Sequence, residues 1–253
     1  MSLIKNLLSH PLTRSLSIDD PRTTELRHKI IQEKIFLKKL YIEWYLILLK
    51  DLNESHKVLE LGSGAGFIKS LLSTVFTSEV IPTKNIDLVV DATNLPFSND
   101  SLDAIVMTDV LHHIPTPSIF FTEALRVLKK NGEILLIEPW PSHWSELIYT
   151  KFHHEPFDKK AGWTIPSSGP LSGANGAIPW ILFERDKEQF EKQFPELRIN
   201  KIEKIMPFSY LLSGGVSLRY SCPGFLYKYV RLLESMISQD RWAMFAFIQI
   251  KRI

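Results

Sequence analysis

The stretch 58–67, VLELGSGAGF, constrains this chain more than any other. A strand-like apolar run opens into glycines at alternating positions, Gly62, Gly64 and Gly66. Without Cβ atoms the backbone turns tightly there and brings its N–H groups against a ligand. Such a loop belongs at the carboxyl edge of a parallel sheet, which is where open α/β sheets bind ligands. The spacing is G-x-G-x-G. A dinucleotide loop needs Gly or Ala at the last position of G-x-G-x-x-G, and Phe67 stands there. Glu60, at the end of the strand, would repel a pyrophosphate and attract a cation. The loop is therefore read as one for a positively charged cofactor.

The rest of the pattern supplies a sheet around that loop. Segments 57–61, 74–79, 87–90, 102–107, 132–137, 199–206 and 243–250 read as strands. Helical spacing is expected from 67, at 117–128, at 186–194 and at 225–237. Strands alternating with helices predict a doubly wound α/β fold, Rossmann-like, with a seven-stranded, mostly parallel sheet. Residues 23–52 lack Gly and Pro and place Leu26, Ile30, Phe36 or Leu37, Leu40, Trp44 and Leu48 at helical spacing, so an N-terminal helical cover is expected. Residues 139–179 are rich in Pro, Gly, Ser and aromatics with little periodicity, which predicts a long excursion acting as a lid over a substrate. One domain of 253 residues follows: cover 1–55, cofactor-binding core 56–139, lid and substrate insertion 140–200, and closing strands and helix 201–253.

Charge and cysteine usage exclude several partners. The 30 basic and 28 acidic side chains are spread along the chain with no basic stripe, so nucleic acid is not expected. A single cysteine, Cys222, excludes an internal disulfide framework and a cysteine-rich zinc site and fits a reducing, cytoplasmic compartment; its side chain is expected to be a small buried apolar group. The first residues, MSLIKNLLSHPL, do not read as a signal peptide, and the most apolar window, 41–49, contains Glu43 and is far shorter than the roughly 20 residues a membrane span needs. His153, His154 and Glu155 suggest a metal site only weakly, because adjacent histidines in a strand or helix diverge; no metal is expected.

Five stretches in order then resemble the class I S-adenosylmethionine-dependent methyltransferases: VLELGSGAGF, the strand ending at Glu79, DATNLPF, SLDAIVMTDVLHHI and EALRVLKKNGEILLIEPW. The resemblance implies S-adenosyl-L-methionine as cofactor. Gly62, Ser63 and Gly64, with Gly66 in the same loop, would pass under its methionine part with Glu60 nearby. Glu79 would take the ribose hydroxyls, although many relatives carry Asp in a longer second strand. Asp91 and Ala92 would meet the adenine, and Asp109, Val110 and His112 would leave the fourth strand beside the transferred methyl. Tyr41 and Tyr45, four apart on one helix face, are candidates to cover the cofactor.

Methyl transfer needs an aligned acceptor, excluded water and, for a hydroxyl, a base. His112, His113, Glu138, His153, His154 and Glu155 are the candidates for that role. The aromatics Tyr41, Trp44, Tyr45, Trp140, Trp144, Trp163 and Trp180 flank the expected cleft. D-V-L-H-H stands where enzymes that methylate adenine amino groups carry N-P-P-Y or D-P-P-Y, so a small-molecule acceptor is expected, with a hydroxyl favoured and nitrogen or carbon left open. A nicotinamide-dependent oxidoreductase, opposed by Phe67 and by the lack of a Tyr-x-x-x-Lys pair, and a non-catalytic cofactor-binding module are the alternatives. The acceptor's identity and the oligomeric state are not written in any motif.

Overall fold

The structure is a computed structural model and describes residues 9–153, 155–165, 169 and 171–253. The N-terminal cover is two helices. Helix α1 (Pro21–Glu33) begins where the Asp20 side chain accepts the Arg22 N–H at 2.9 Å and proline occupies the first turn. Lys34 leaves helical geometry, and α2 (Ile35–Leu48) follows. Phe36, Leu40, Trp44 and Leu48 recur every fourth residue, and all four are buried in one cluster with Val58, Ile68, Leu72, Val75 and Ala104.

Strands β1 (Val58–Leu61), β2 (Phe76–Glu79), β3 (Leu88–Val89), β4 (Leu102–Thr108), β5 (Leu128–Pro139), β6 (Leu197–Ile205) and β7 (Phe245–Arg252) make a single sheet in the order β3-β2-β1-β4-β5-β7-β6. The first five are parallel, and β7 runs antiparallel to both β5 and β6. This is the doubly wound, Rossmann-like, seven-stranded sheet expected from the sequence. The chain steps outward from β1 to β3 and returns to β4 on the other side of β1. The switch point therefore lies between β1 and β4. Leu61 pairs with Met107, so the loops leaving these two strands begin side by side.

Helix α3 (Pro117–Val127) covers the opposite face through Phe120, Phe121, Ala124 and Val127. The helix expected after the glycine loop is only a 3-10 turn, Ile68–Ser70. Its place on the sheet is taken by α2, whose Trp44 and Leu48 share a cluster with Ile68 and Leu72. Within the region read as lacking periodicity stands α4 (His143–Lys151), started by a capping box in which the side chains of Ser142 and Ser145 accept each other's backbone N–H. Cys222 is half-buried rather than buried. No described helix is long and apolar enough to cross a membrane.

The excursion after β5 is fastened to the exit of β4. Asn175 N–H donates to the His112 carbonyl at 3.0 Å, Ile165 N–H to that of Pro115 at 2.9 Å, and Ala177, Ile178 and Ile181 join the α3-side core. Phe121 lies at its centre, packing edge-on against Phe183 and Phe190 and tilted against Phe194. Phe121→Ala is expected to cost about 3–5 kcal/mol in urea denaturation with an unchanged m-value.

Candidate active site

At the switch point the glycine loop is shaped by neighbours on both sides. Gly62 has φ +71°, and a Cβ there would lie 2.3 Å from Val110 Cγ2. A Cβ on Gly64 would lie 2.4 Å from Thr24 Cγ2 and 2.6 Å from Glu79 Oε2, and one on Gly66 2.1 Å from Tyr45 Oη. Each glycine is thus required by a side chain from a different element. Tyr45 Oη accepts the Phe67 N–H at 3.2 Å, which pins the loop to α2. Ser63 ties β1 to β2: its N–H donates to the Ser78 carbonyl at 2.8 Å, and its hydroxyl accepts the Ser78 N–H at 3.1 Å.

Beside the loop lies a cavity of about 210 Å³. Gly62, Glu79, Asp91, Ala92, Asp109 and Val110 form one wall; Tyr41, Thr24 and Arg27 come from the helical cover, and His113, His153 and Glu155 line it as well. Glu79 accepts the Val80 N–H at 2.8 Å and the Gly64 N–H at 3.3 Å. Burial raises its pKa, against those two bonds and the charge of Arg27. Asp91 accepts the N–H and hydroxyl of Thr93 at 2.8 and 2.7 Å. Glu60 lies behind the loop, 2% exposed, with Oε2 lacking a partner. Burial pushes its carboxyl up to about 7, opposed by a hydrogen bond from Ser63 and assisted by Glu79.

The exit of β4 is organised by Glu138 at the end of β5. Its Oε1 accepts the N–H groups of Val110 and Leu111 at 2.8 and 2.7 Å, and its Oε2 accepts His112 Nδ1–H at 2.7 Å. Both side chains are fully buried. Burial opposes a charge on His112, but the Glu138 carboxylate raises its pKa well above the ordinary value. Asp109, with φ +63°, faces the cavity, and burial pushes its carboxyl up to about 7 against the pull of His112. His113 Nδ1 lies 3.0 Å from the Gly173 carbonyl, which only accepts, so Nδ1 carries the hydrogen and Nε2 keeps a lone pair. Burial, with His112 beside it, lowers the His113 pKa to about 4. Glu155 stands 3.5 Å from His112 Nε2 and 3.9 Å from His113 Nε2. Burial works against its charge, yet the neighbouring His112, with the charges of His113 and His153, holds it well below the usual carboxylate range.

The fold is shared with the solved complex of the Haloferax volcanii Trm112 methyltransferase activator and a methyltransferase, at TM-score 0.53 and 15% identity over 93% of this chain and 97% of that one. It is shared too with an S-adenosylmethionine-dependent methyltransferase structure from Listeria monocytogenes, at TM-score 0.51 and 14% identity over 83% of this chain and 95% of that one. A third is geranyl diphosphate C-methyltransferase from Streptomyces coelicolor A3(2), solved with Mg2+, geranyl diphosphate and S-adenosyl-L-homocysteine, at TM-score 0.50 and 14% identity over 98% of this chain and 91% of that one. Identities this low speak for the fold alone. No curated protein matches the chain. Residues 59–136 match the model of a family described as a methyltransferase domain. Over these residues the chain carries a methyltransferase domain, in the fold of the S-adenosylmethionine-dependent methyltransferases.

S-adenosyl-L-methionine is the cofactor of this methyltransferase, and the cavity suits it. The cavity lining carries the carboxyl groups of Glu79, Asp91 and Asp109, with Glu60 behind, as a cationic cofactor with ribose hydroxyls would require, and the glycine loop has no room for side chains. Of the residues singled out by sequence, Gly62, Glu79, Asp91, Ala92, Asp109, Val110, Tyr41, His113 and His153 line the cavity. Glu60, Ser63, Gly64, Gly66, Tyr45, His112 and Glu138 are not among its lining residues and act on the wall from behind it. His154 lies outside the described residues. Among the seven flanking aromatics only Tyr41 reaches the cavity; Trp44 and Trp140 are core, and Trp163 Nε1–H donates to Asp186 at 2.9 Å. Sequence reasoning missed Thr24, Arg27, Tyr210 and Ser217 in the wall. The run DDPRTTELR, dense in polar groups inside an otherwise amphipathic cover, is the one signal for two of them.

Gly64→Val should abolish S-adenosylhomocysteine binding in calorimetry while the far-UV dichroism stays native. The raised Glu60 carboxyl has a defined pH signature. Folding disfavours its ionisation, so its contribution is neutral below the unfolded value of 4.5 and turns destabilising as pH rises to about 7. Glu60→Gln removes that cost. Its denaturation free energy relative to wild type should climb from near zero at low pH to about +3 kcal/mol above neutrality.

Proposed function

We propose that the protein methylates a hydroxyl of a small-molecule acceptor bound at the end of the cavity where Asp109, His113, His153 and Glu155 meet. The observation that carries this reading is that the cofactor wall and this group of carboxylates and imidazoles line one and the same cavity. The cofactor supplies an electrophilic methyl on a sulfonium. This chain's residues do the rest. Gly62, Glu79 and Asp91 hold and orient the cofactor, and Tyr41 with the helical cover excludes water from it. His113, its tautomer set by the Gly173 carbonyl, turns a lone pair toward the acceptor side, and Glu155 remains ionised beside it. A hydroxyl in that setting passes its proton to the His113 lone pair only as the methyl moves from sulfur to oxygen and the hydroxyl becomes acidic, with the Glu155 charge beside it stabilising the imidazolium that forms.

The remaining parts take matching roles. Residues 140–200 act as the lid, because Leu171 as well as His153 and Glu155 from this excursion line the cavity. Residues 1–55 cover the cofactor, residues 56–139 bind it, and residues 201–253 complete the sheet. The balanced surface charge favours a metabolite, or a glycan or lipid precursor, over nucleic acid, and a cytoplasmic setting fits the lone cysteine.

The test is transfer of a labelled methyl from S-adenosylmethionine into a panel of hydroxylated metabolites, glycans and lipid precursors, with amines as controls. Label in an ether linkage is the expected product; label found only on nitrogen or carbon overturns the hydroxyl reading. Glu155→Ala and His113→Ala should each lower kcat by roughly 10²- to 10⁴-fold.

A further inference from the structure

The two histidines after β4 are presented in an unusual way. Each has its Nδ1 committed elsewhere: that of His112 donates to Glu138 Oε2 at 2.7 Å, and that of His113 to the Gly173 carbonyl at 3.0 Å. Both Nε2 atoms are left to face Glu155, and His112 Nε2 is fully buried with no hydrogen-bond partner. His112 Nε2 is 3.5 Å from Glu155 Oε2 and His113 Nε2 is 3.9 Å from Glu155 Oε1, at or beyond the limit of a hydrogen bond. These separations suit donors sharing one ion, because ligands about 2.0–2.2 Å from a tetrahedral centre stand about 3.4 Å apart. His112 Nε2, His113 Nε2 and a Glu155 oxygen all lie within 4.8 Å of one another.

We infer that His112, His113 and Glu155 form a binding site for a divalent transition-metal ion in the cavity wall, the ion displacing to solvent the proton that His112 Nε2 carries when the imidazole is charged. The Glu138–His112 pair is the outer-shell carboxylate that commonly orients a ligating imidazole. Two imidazoles and one carboxylate select zinc, cobalt, iron(II) or manganese over calcium and magnesium, which prefer all-oxygen sites. Glu138 itself is spent on Val110, Leu111 and His112 and is not a direct ligand, and His153 is not part of the set that converges within 4.8 Å. Asp109 Oδ1, 4.0 Å from His112 Nε2, stands next to the set as a further carboxylate. His113 and Glu155 line the cavity, so the open coordination positions face the acceptor. There the ion would take over from His113 and Glu155 the task of lowering the barrier to proton loss, by lowering the pKa of a coordinated hydroxyl, a role that rests on the hydroxyl-acceptor reading, whereas binding of the ion does not.

The test uses tag-free, chelator-treated full-length protein titrated with Co2+, followed by calorimetry and by the visible ligand-field band. One saturable equivalent is expected for wild type. Glu155→Gln and His113→Ala should each weaken binding at least tenfold and diminish the band, and Glu138→Gln should weaken it by about 10- to 100-fold through the outer shell. Dichroism melts confine the comparison to folded variants, and the isosteric Glu155→Gln serves if His113→Ala fails to fold. No saturable equivalent in wild type, or equal affinity in folded Glu155→Gln and wild type, overturns the inference and leaves these atoms a hydrogen-bonded relay. S-adenosylhomocysteine titration of the same samples separates the readings: binding of it without Co2+ overturns the metal site alone, and binding of Co2+ without it overturns the methyltransferase function alone.

Discussion

A single buried carboxylate, Glu138, holds the working end of this molecule together. It sits at the end of β5 and accepts the first two N–H groups of the turn that leaves β4, while its second oxygen fixes His112. A carboxyl group removed from water at this depth is tolerated because both of its oxygens accept hydrogen bonds, two at Oε1 and one at Oε2. The arrangement clamps Asp109 in left-handed geometry and directs His113 and Glu155 into the cavity. Loss of the clamp would release a strained residue, a buried imidazole and two strand ends together.

The cofactor side rests on contacts of another kind. The glycine loop is held by what surrounds it, with Tyr45 and Thr24 from the cover, Glu79 from β2 and Val110 from the neighbouring exit loop each occupying the space a side chain would need. The crossover helix usual after such a loop is reduced to one turn, and α2 covers that face of the sheet instead. The N-terminal cover is thereby part of the core through Tyr45 as well as part of the cavity wall through Tyr41. The excursion after β5 is coupled in a similar way at the other end, through its bonds to the carbonyls of His112 and Pro115.

Much of the architecture was legible because it is local. All seven strands lie within a few residues of where alternation and apolar runs put them, and the second cover helix follows the spacing of Phe36, Leu40, Trp44 and Leu48. The helix expected after Gly66 shrank because a competing helix distant in sequence took its packing surface. Helix α4 was hidden in a segment rich in proline and aromatics, although its Ser142 and Ser145 capping pair was visible. At the site, residues on motif loops were readable, whereas Arg27, Tyr210 and Ser217 were not, since each reaches the cavity from an element with no motif of its own.

By itself the sequence determined a mostly parallel sheet with a glycine loop at its edge and a preference, from Phe67 and Glu60, for a cationic ligand, because backbone conformation and strand period depend on neighbours in the chain, while the cofactor itself followed from the resemblance of five motifs. Only the tertiary structure decided which histidine faces the cavity and which is buried against Glu138, although the two are adjacent in sequence. It alone brought Glu155 from the excursion to both Nε2 atoms, because ring tautomers and ligand geometry are set by partners such as Glu138 and Gly173 that lie far along the chain.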